Sequence, residues 1–318
     1  MERATGAEAS TPRYLGERWA IVLAGGDGVR LRALTRELHG DERPKQFARV
    51  LGEETLLECT WRRAALAVDP GRILTVLTRR HERFYQPLVA DLDPARLVVQ
   101  PENRGTAAGI LYPVARLHAL APDAPVAILP SDHHFSDDEC LMEHVDLAFQ
   151  SLLADPLRVV LLGMIPDTHE TEYGWIEPGP AVARPGGRQL RRVLRFWEKP
   201  PGELAGALRD RGCLWNSFIM VGTARGLLGL VGSALPGLAG TFDALAQTFG
   251  GAHEAAAAEC MYAALAPVDF SRAVLTARPL RLGVLSVSGV SWCDLGSPER
   301  VLRTRRQLES REALLAGA

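Results

Sequence analysis

The chain has 318 residues, 36 Lys and Arg against 38 Asp and Glu, a formal net charge of -2 and 47% hydrophobic residues. That composition excludes a disordered chain, and the length suffices to bury a core without disulfide or zinc staples. The balanced charge excludes a general affinity for nucleic-acid backbone or anionic membrane, both of which require a surplus of Lys and Arg, so any anion site must be local.

Residues 1–18 carry Glu2, Glu8 and Glu17 among Ala, Thr and Pro, lack the apolar centre of a secretory signal, and read as a flexible leader. Strands are expected at 19–24, 73–78, 97–100, 126–129 and 159–164, where short apolar runs occur. Between them, 55–68, 80–92, 106–120 and 139–154 have helical length and apolar residues recurring three or four apart. This alternation predicts a parallel sheet with crossover helices. After Met164 the pieces shorten, and 173–179, 190–198 and 214–221 read as a mixed or antiparallel extension of the same sheet. The Ala- and Leu-rich stretch 223–265 reads as helical packing interrupted by glycines, and 280–287 and 290–296 as the last apolar runs. The tail 298–315 is a charged helix with Glu299, Arg300, Arg303 and Arg305. No apolar run approaches the ~20 residues needed to cross a bilayer. The five cysteines, Cys59, Cys140, Cys213, Cys260 and Cys293, are scattered without a C-x-x-C pair, so neither a disulfide framework nor a zinc site is expected, and a reducing cytoplasm fits.

The first strand runs into Gly25-Gly26-Asp27-Gly28-Val29-Arg30-Leu31, a turn whose bare backbone lets N–H groups approach a phosphate or base edge. It is not a Walker loop, since no Gly-Lys-Ser/Thr follows, and Leu31 stands where the dinucleotide fingerprint needs its third glycine. Arg30 and Lys45, the latter in Arg43-Pro44-Lys45-Gln46-Phe47, supply cations that would converge on a polyphosphate held by the turn. Taken singly, both are equally readable as solvated surface cations.

Leu23 to Leu31 followed by Pro44-Lys45-Gln46-Phe47 resembles the opening of the sugar-1-phosphate nucleotidyltransferases, most closely their mannose-1-phosphate guanylyltransferase branch. Further resemblances follow in family order: Gln100-Pro101-Glu102-Asn103-Arg104-Gly105-Thr106-Ala107-Ala108, Leu129-Pro130-Ser131-Asp132-His133, and Glu172-Tyr173-Gly174-Trp175-Ile176. Phe196-Trp197-Glu198-Lys199-Pro200, Trp215-Asn216-Ser217 and Trp292-Cys293-Asp294-Leu295-Gly296-Ser297 complete them. Ordered motifs over most of a chain are far more specific than any one of them.

The resemblance implies a three-layer, Rossmann-like α/β nucleotidyltransferase fold of the GT-A kind with a mixed central sheet, spanning 19–297, and a short C-terminal helix, 298–318. It implies transfer of GMP from GTP to mannose 1-phosphate, giving GDP-mannose and pyrophosphate, with Mg2+ held by Asp132 and Asp294. Nucleotide contacts would come from Ala24, Gly25, Gly26, Gly28, Glu102, Asn103, Thr106 and Ala107, with Arg30 and Lys45 on the phosphates. Gly174, Glu198, Lys199 and Asn216 would hold the sugar phosphate. It implies a cytoplasmic enzyme without nucleic-acid or membrane partners, and allows a homodimer. The end at Ala318 leaves no room for the C-terminal domain of longer, bifunctional relatives.

Several residues depart from the family wording. Phe218 follows Trp-Asn-Ser where Gly is usual, Gly105 stands for Asn and Ala108 for Pro, and Cys293-Asp294-Leu295 replaces Ser-Asp-Val while keeping the carboxylate. These bear on the sugar and base more than on the reaction, so the same transfer with another substrate pair, or a silent sugar-nucleotide-binding homologue, stand as rivals. Asp132-His133-His134 also matches a phosphoesterase triplet, but without that family's other carboxylate motifs.

Overall fold

The computed structural model describes residues 17–316, with side chains to residue 310. The strands are β1 (Trp19–Leu23), β2 (Ile73–Thr78), β3 (Leu97–Gln100), β4 (Pro125–Pro130), β5 (His134–Phe135), β6 (Val159–Met164), β7 (Gly174–Ala183), β8 (Leu190–Glu198), β9 (Leu214–Thr223), β10 (Leu282–Val287) and β11 (Trp292–Cys293). The helices are α1 (Arg32–His39), α2 (Leu56–Ala64), α3 (Glu82–Val89), α4 (Gly105–Leu120), α5 (Asp138–Ser151), α6 (Gly202–Asp210), α7 (Ala224–Ala234), α8 (Pro236–Ala246), α9 (Glu254–Ala264) and α10 (Pro298–Ala316).

Nine strands form one sheet in the order β3-β2-β1-β4-β9-β6-β10-β8-β7. The β3-β2-β1-β4 part is parallel, as the β-α rhythm predicts, and β9 inserts antiparallel between β4 and β6. Strand alternation divides the core. Ile21 of β1 packs with α4, α7 and α8 on one face, while Ala20 and Val22 pack with α2, α3 and α5 on the other. α4 is buried almost all round, more than the one apolar face that a spacing of three or four implies. α2 starts on a capping box in which Thr55 and Glu58 satisfy each other's amides. The glycine-interrupted helical stretch expected over 223–265 is three helices, broken before Pro236 and across Gly250 and Gly251.

β1 lies between β2 and β4, so the chain leaves β1 in one direction and returns on its other side. Ligands of open α/β sheets bind at the carboxyl ends of strands beside such a switch point. A separate ribbon, β5 with β11, pairs Phe135 with Trp292 and His134 with Cys293, drawing the loop after β11 beside the end of β4.

Residues 1–16 of the expected leader lie outside the described residues. Arg18, its last residue, is fixed instead of loose: its guanidinium donates to Asp146 at 2.5 Å and lies over Phe149 at 4.8 Å. α10 is equally integrated, with Val301 packed against Leu31, Leu34, Leu56 and Leu295. Among the described residues no helix is long and apolar enough to cross a membrane.

Candidate active site

The glycine turn leaves the end of β1 and is held from behind. Gln46 donates to the carbonyls of Ala24 at 2.9 Å and Gly26 at 2.8 Å, and Thr78 donates to that of Gly25 at 2.8 Å. A turn whose carbonyls are engaged in this way presents its amides to an anion. A Cβ at Gly25 would lie 2.5 Å from Gln100 Nε2, so any other residue there would have to displace the buried Gln100 side chain. Asp27 ties the turn to its neighbours: His81 Nε2 is 3.1 Å from Oδ1 and Asn103 Nδ2 donates to Oδ2 at 3.0 Å, while Asn103 Oδ1 caps the Gly105 amide.

Two cavities open on this turn. One, of about 560 Å³, is lined by Gly25, Gly26, Gln100, Thr106 and Phe218, and the other, of about 380 Å³, by Gly28, Arg30, Lys45 and Gly296. Asn103 and Asp132 line both, marking the boundary between them. Asp132 follows the end of β4, where Ser131 Oγ donates to the Leu23 carbonyl at 2.7 Å and keeps the β1 and β4 ends in step.

Lys45 is not a solvated cation. It is 9% exposed, its Nζ lies 3.2 Å from Asp132 Oδ2, and it donates to the carbonyls of Asp294 at 2.5 Å and Leu295 at 3.2 Å. Arg30 is the exposed member of the pair, 3.5 Å from Glu172 Oε2, the same oxygen that Lys199 Nζ approaches at 4.0 Å.

Asp294 sits in a dense cage. Its Oδ1 accepts from Arg300 at 2.8 Å, from the Gly296 amide at 2.9 Å and from Tyr173 Oη at 3.3 Å. Arg300 also bonds Glu170 Oε2 at 2.6 Å and lies over the Tyr173 ring at 4.7 Å. Burial pushes the Asp294 carboxyl up, but His133, Arg300, Lys45 and the Gly296 amide outweigh it, holding the group below the usual carboxylate range. All three donors reach the same oxygen.

Among the described residues no group of three His, Cys, Asp or Glu would hold a metal unaided. Asp132, which lines both cavities, and Asp294, whose neighbours Leu295 and Gly296 line the smaller one, are nevertheless hard oxygen donors of the kind Mg2+ takes, an ion that keeps several waters and completes its shell with substrate phosphates. His133 and His134 diverge: His133 Nε2 is 3.6 Å from Asp132 Oδ1 and its Nδ1 accepts from Trp292 at 3.2 Å, whereas His134 lies on the ribbon near Arg63 and Asp138.

The expected sugar-phosphate residues converge. Gly174 pairs with Glu198 in the sheet, and a Cβ on it would meet the Phe196 ring at 2.8 Å, Glu198 Oε2 at 3.1 Å and Asn216 Cβ at 3.3 Å. Burial, reinforced by repulsion from Asp269, pushes the Glu198 carboxyl up to about 7. Backbone strain collects here as well: Lys199 (φ 51), Phe218 (φ 63) and Leu295 (φ 49) are the non-glycine residues with positive φ among the described residues. Such strain persists where the surroundings over-determine it, commonly at functional sites.

The remaining expected residues fall differently. Ala24 and Ala107 are buried and contribute backbone, their amides bonding Val76 and Val268. Glu102 lines neither cavity; its exposed side chain pairs with Arg104 at 2.7 Å. Arg300, Tyr173, Gln46 and Asp27 are site residues to which the sequence reading gave no role. Arg300 follows Asp294 closely in the chain but stands among other arginines, so only the fold singles it out.

A family model described as nucleotidyl transferase matches residues 19–311. A mannose-1-phosphate guanylyltransferase of Sinorhizobium fredii is 30% identical over 90% of this chain and 54% of its own length. The xanthan biosynthesis protein XanB of Xanthomonas campestris is 32% identical over 62% of this chain and 40% of its own. The chain thus spans about half the length of the curated relatives it matches. Among solved structures, one from Thermus thermophilus named mannose-1-phosphate geranyltransferase is 32% identical, with a TM-score of 0.74 over 88% of this chain and 76% of that one. A UDP-glucose pyrophosphorylase, 14% identical with a TM-score of 0.55, shares the fold. With the glycine turn, both carboxylate loops and the sheet around them inside the matched region, the chain belongs to the nucleotidyl transferase family.

Proposed function

We propose that the chain transfers GMP from GTP to mannose 1-phosphate, forming GDP-mannose and pyrophosphate. The observation that carries this reading is the position of Lys45 and Asp132 in the walls of the glycine-turn cavities, with Asp294 joined to them through the Lys45 ammonium and with Gly174, Glu198 and Asn216 packed against one another. A phosphate oxygen of mannose 1-phosphate attacks the α-phosphorus; the new P–O bond forms as the bond to the β-phosphate breaks, and pyrophosphate leaves with the electron pair. Both reactants are anions, so the protein's task is to neutralise and align them.

The amides of Gly25, Gly26 and Gly28 and the cations Arg30 and Lys45 bind the nucleotide phosphates. Thr106 and Asn103 line the nucleotide's course, Lys199 pairs with the sugar phosphate, and Glu198 and Asn216 bond sugar hydroxyls. Asp132 and Asp294 would hold Mg2+, which supplies charge neutralisation across the phosphates when bound. No side chain forms a covalent intermediate.

The same transfer with another base or sugar is the second reading, favoured by Phe218 and Gly105, which depart from the family wording and line the larger cavity. Pyrophosphate release measured with five nucleoside triphosphates crossed against hexose 1-phosphates separates the two. Dominance of GTP with mannose 1-phosphate supports the first, and dominance of another pair the second. Silence across the panel with sugar nucleotide still bound would favour a non-catalytic binder.

A further inference from the structure

The cations of the site are held in two different ways. Lys45 and Arg300 are mostly buried and firmly engaged, Lys45 by Asp132 and two carbonyls, and Arg300 by Glu170 at 2.6 Å and Asp294 at 2.8 Å. Arg30 and Lys199 have half-exposed side chains and, among the described residues, one ion-pair partner between them, the Glu172 carboxylate. Its Oε2 lies 3.5 Å from Arg30 and 4.0 Å from Lys199 Nζ, longer than the ~2.7–2.9 Å of a well-formed charged hydrogen bond.

The backbone that carries Glu172 is nevertheless fixed. Glu170 Oε1 accepts from the amides of Thr171 at 2.9 Å and Glu172 at 3.1 Å, its Oε2 takes Arg300, and its carbonyl accepts from Trp175 Nε1 at 2.8 Å. The carbonyl of the next residue, Tyr173, accepts the Lys199 amide at 3.2 Å and so ties the positive-φ Lys199 backbone to the same loop. A third cavity, of about 400 Å³, is lined by Arg30, Glu172, Gly296, Ser297 and Arg300. Arg30 and Gly296 also line the 380 Å³ cavity, so the two adjoin and Glu172 stands in the wall of the continuation.

An exposed ion pair at these distances adds little to stability, so the fold does not account for it. A carboxylate placed by a rigid loop, shared by two cations and bound tightly by neither, is one that an incoming phosphate can displace. We infer that Glu172 is a built-in stand-in for the substrate phosphates: it gathers and neutralises Arg30 and Lys199 in the free protein, competes with both substrates for them, and yields when they bind. The inference rests on the transferase reading, which puts Arg30 on the nucleotide phosphates and Lys199 on the sugar phosphate. Glu172 is thus a positioning residue that acts through the two cations. Glu172→Gln keeps its size and removes its charge, and should tighten binding of both substrates, a gain that loss of a merely structural contact would not give.

The test is calorimetric binding of GTP with Mg2+ and, separately, of mannose 1-phosphate to wild type and Glu172→Gln. Each Kd should fall by about two- to fivefold in the variant at low salt, the scale of an exposed ion pair, and the difference should vanish at ~1 M salt, where charges are screened beyond about 3 Å. Unchanged or weaker binding of either substrate by Glu172→Gln at low salt, or a gain that persists at high salt, overturns the inference. If wild type binds neither substrate, the assignment of the two sites fails separately, and inorganic pyrophosphate becomes the probe. Tighter binding of pyrophosphate by Glu172→Gln then supports the competing carboxylate, and equal or weaker binding overturns it.

Discussion

Lys45 Nζ lies 3.2 Å from Asp132 Oδ2 and donates to the Asp294 carbonyl at 2.5 Å, so one buried ammonium joins the end of β4 to the turn after β11. Replacing it leaves Asp132 and two carbonyls without this partner. Lys45→Met is expected to lower kcat/KM by ~100-fold or more through lost charge stabilisation. Loss of a partly buried charged hydrogen bond, worth about 1–3 kcal/mol, should also lower Tm by roughly 2–8 °C. Pyrophosphate release and calorimetric melting check both, and near-normal turnover would remove Lys45 from the phosphate site.

Arg300 holds Asp294 without lining the 380 Å³ cavity that Lys45 lines. Asp294→Asn should depress kcat by ~100-fold, and Arg300→Ala by about tenfold, because the carboxylate survives but loses its aim. The double variant should be little worse than Asp294→Asn, since the two act as one unit. Additive losses would place Arg300 in a separate role.

Glu198 gives a pH test. Its folded carboxyl is raised to about 7, so between the ordinary glutamate range and 7 the native protein keeps a proton that the unfolded chain releases. Stability therefore falls as pH rises through that window, and Glu198→Gln should melt at nearly the wild-type temperature near pH 5 and above it at pH 8. Binding should move oppositely: the KM for the sugar phosphate falls in wild type as the carboxylate forms, while the variant shows only the titration of the sugar phosphate itself. A melting difference independent of pH would contradict the buried acid.

The sugar end has its own signature. Lys199→Ala should raise KM for mannose 1-phosphate more than for GTP. Gly174→Ala should do likewise, because its Cβ would press on Phe196, Glu198 and Asn216. Equal effects on both substrates would contradict the division between the pockets.

Much of this architecture was legible in the chain. β2, β3, β6 and β8 occupy the same residues as the expected strands, and Gly174, Glu198 and Asn216, distant in the chain, lie against one another. α1 and α6 escaped notice because each is only eight or nine residues long, too short for a helical period to stand out from the flanking loops. The insertion of β9 between β4 and β6 is a tertiary pairing that strand-length apolar runs do not encode. Arg300 and Asp27 illustrate the same limit at the site. A charged helix residue and a turn aspartate look like solvated groups until the fold sets them against Asp294 and His81.

The most direct test of the central claim follows the α-phosphate. The protein is incubated with Mg2+, mannose 1-phosphate and GTP labelled at the α-phosphorus, and the products are separated. The account predicts that the label appears in GDP-mannose in step with unlabelled pyrophosphate, with none bound covalently to protein. Label remaining in GTP, or recovered as a nucleotidylated protein, would contradict it.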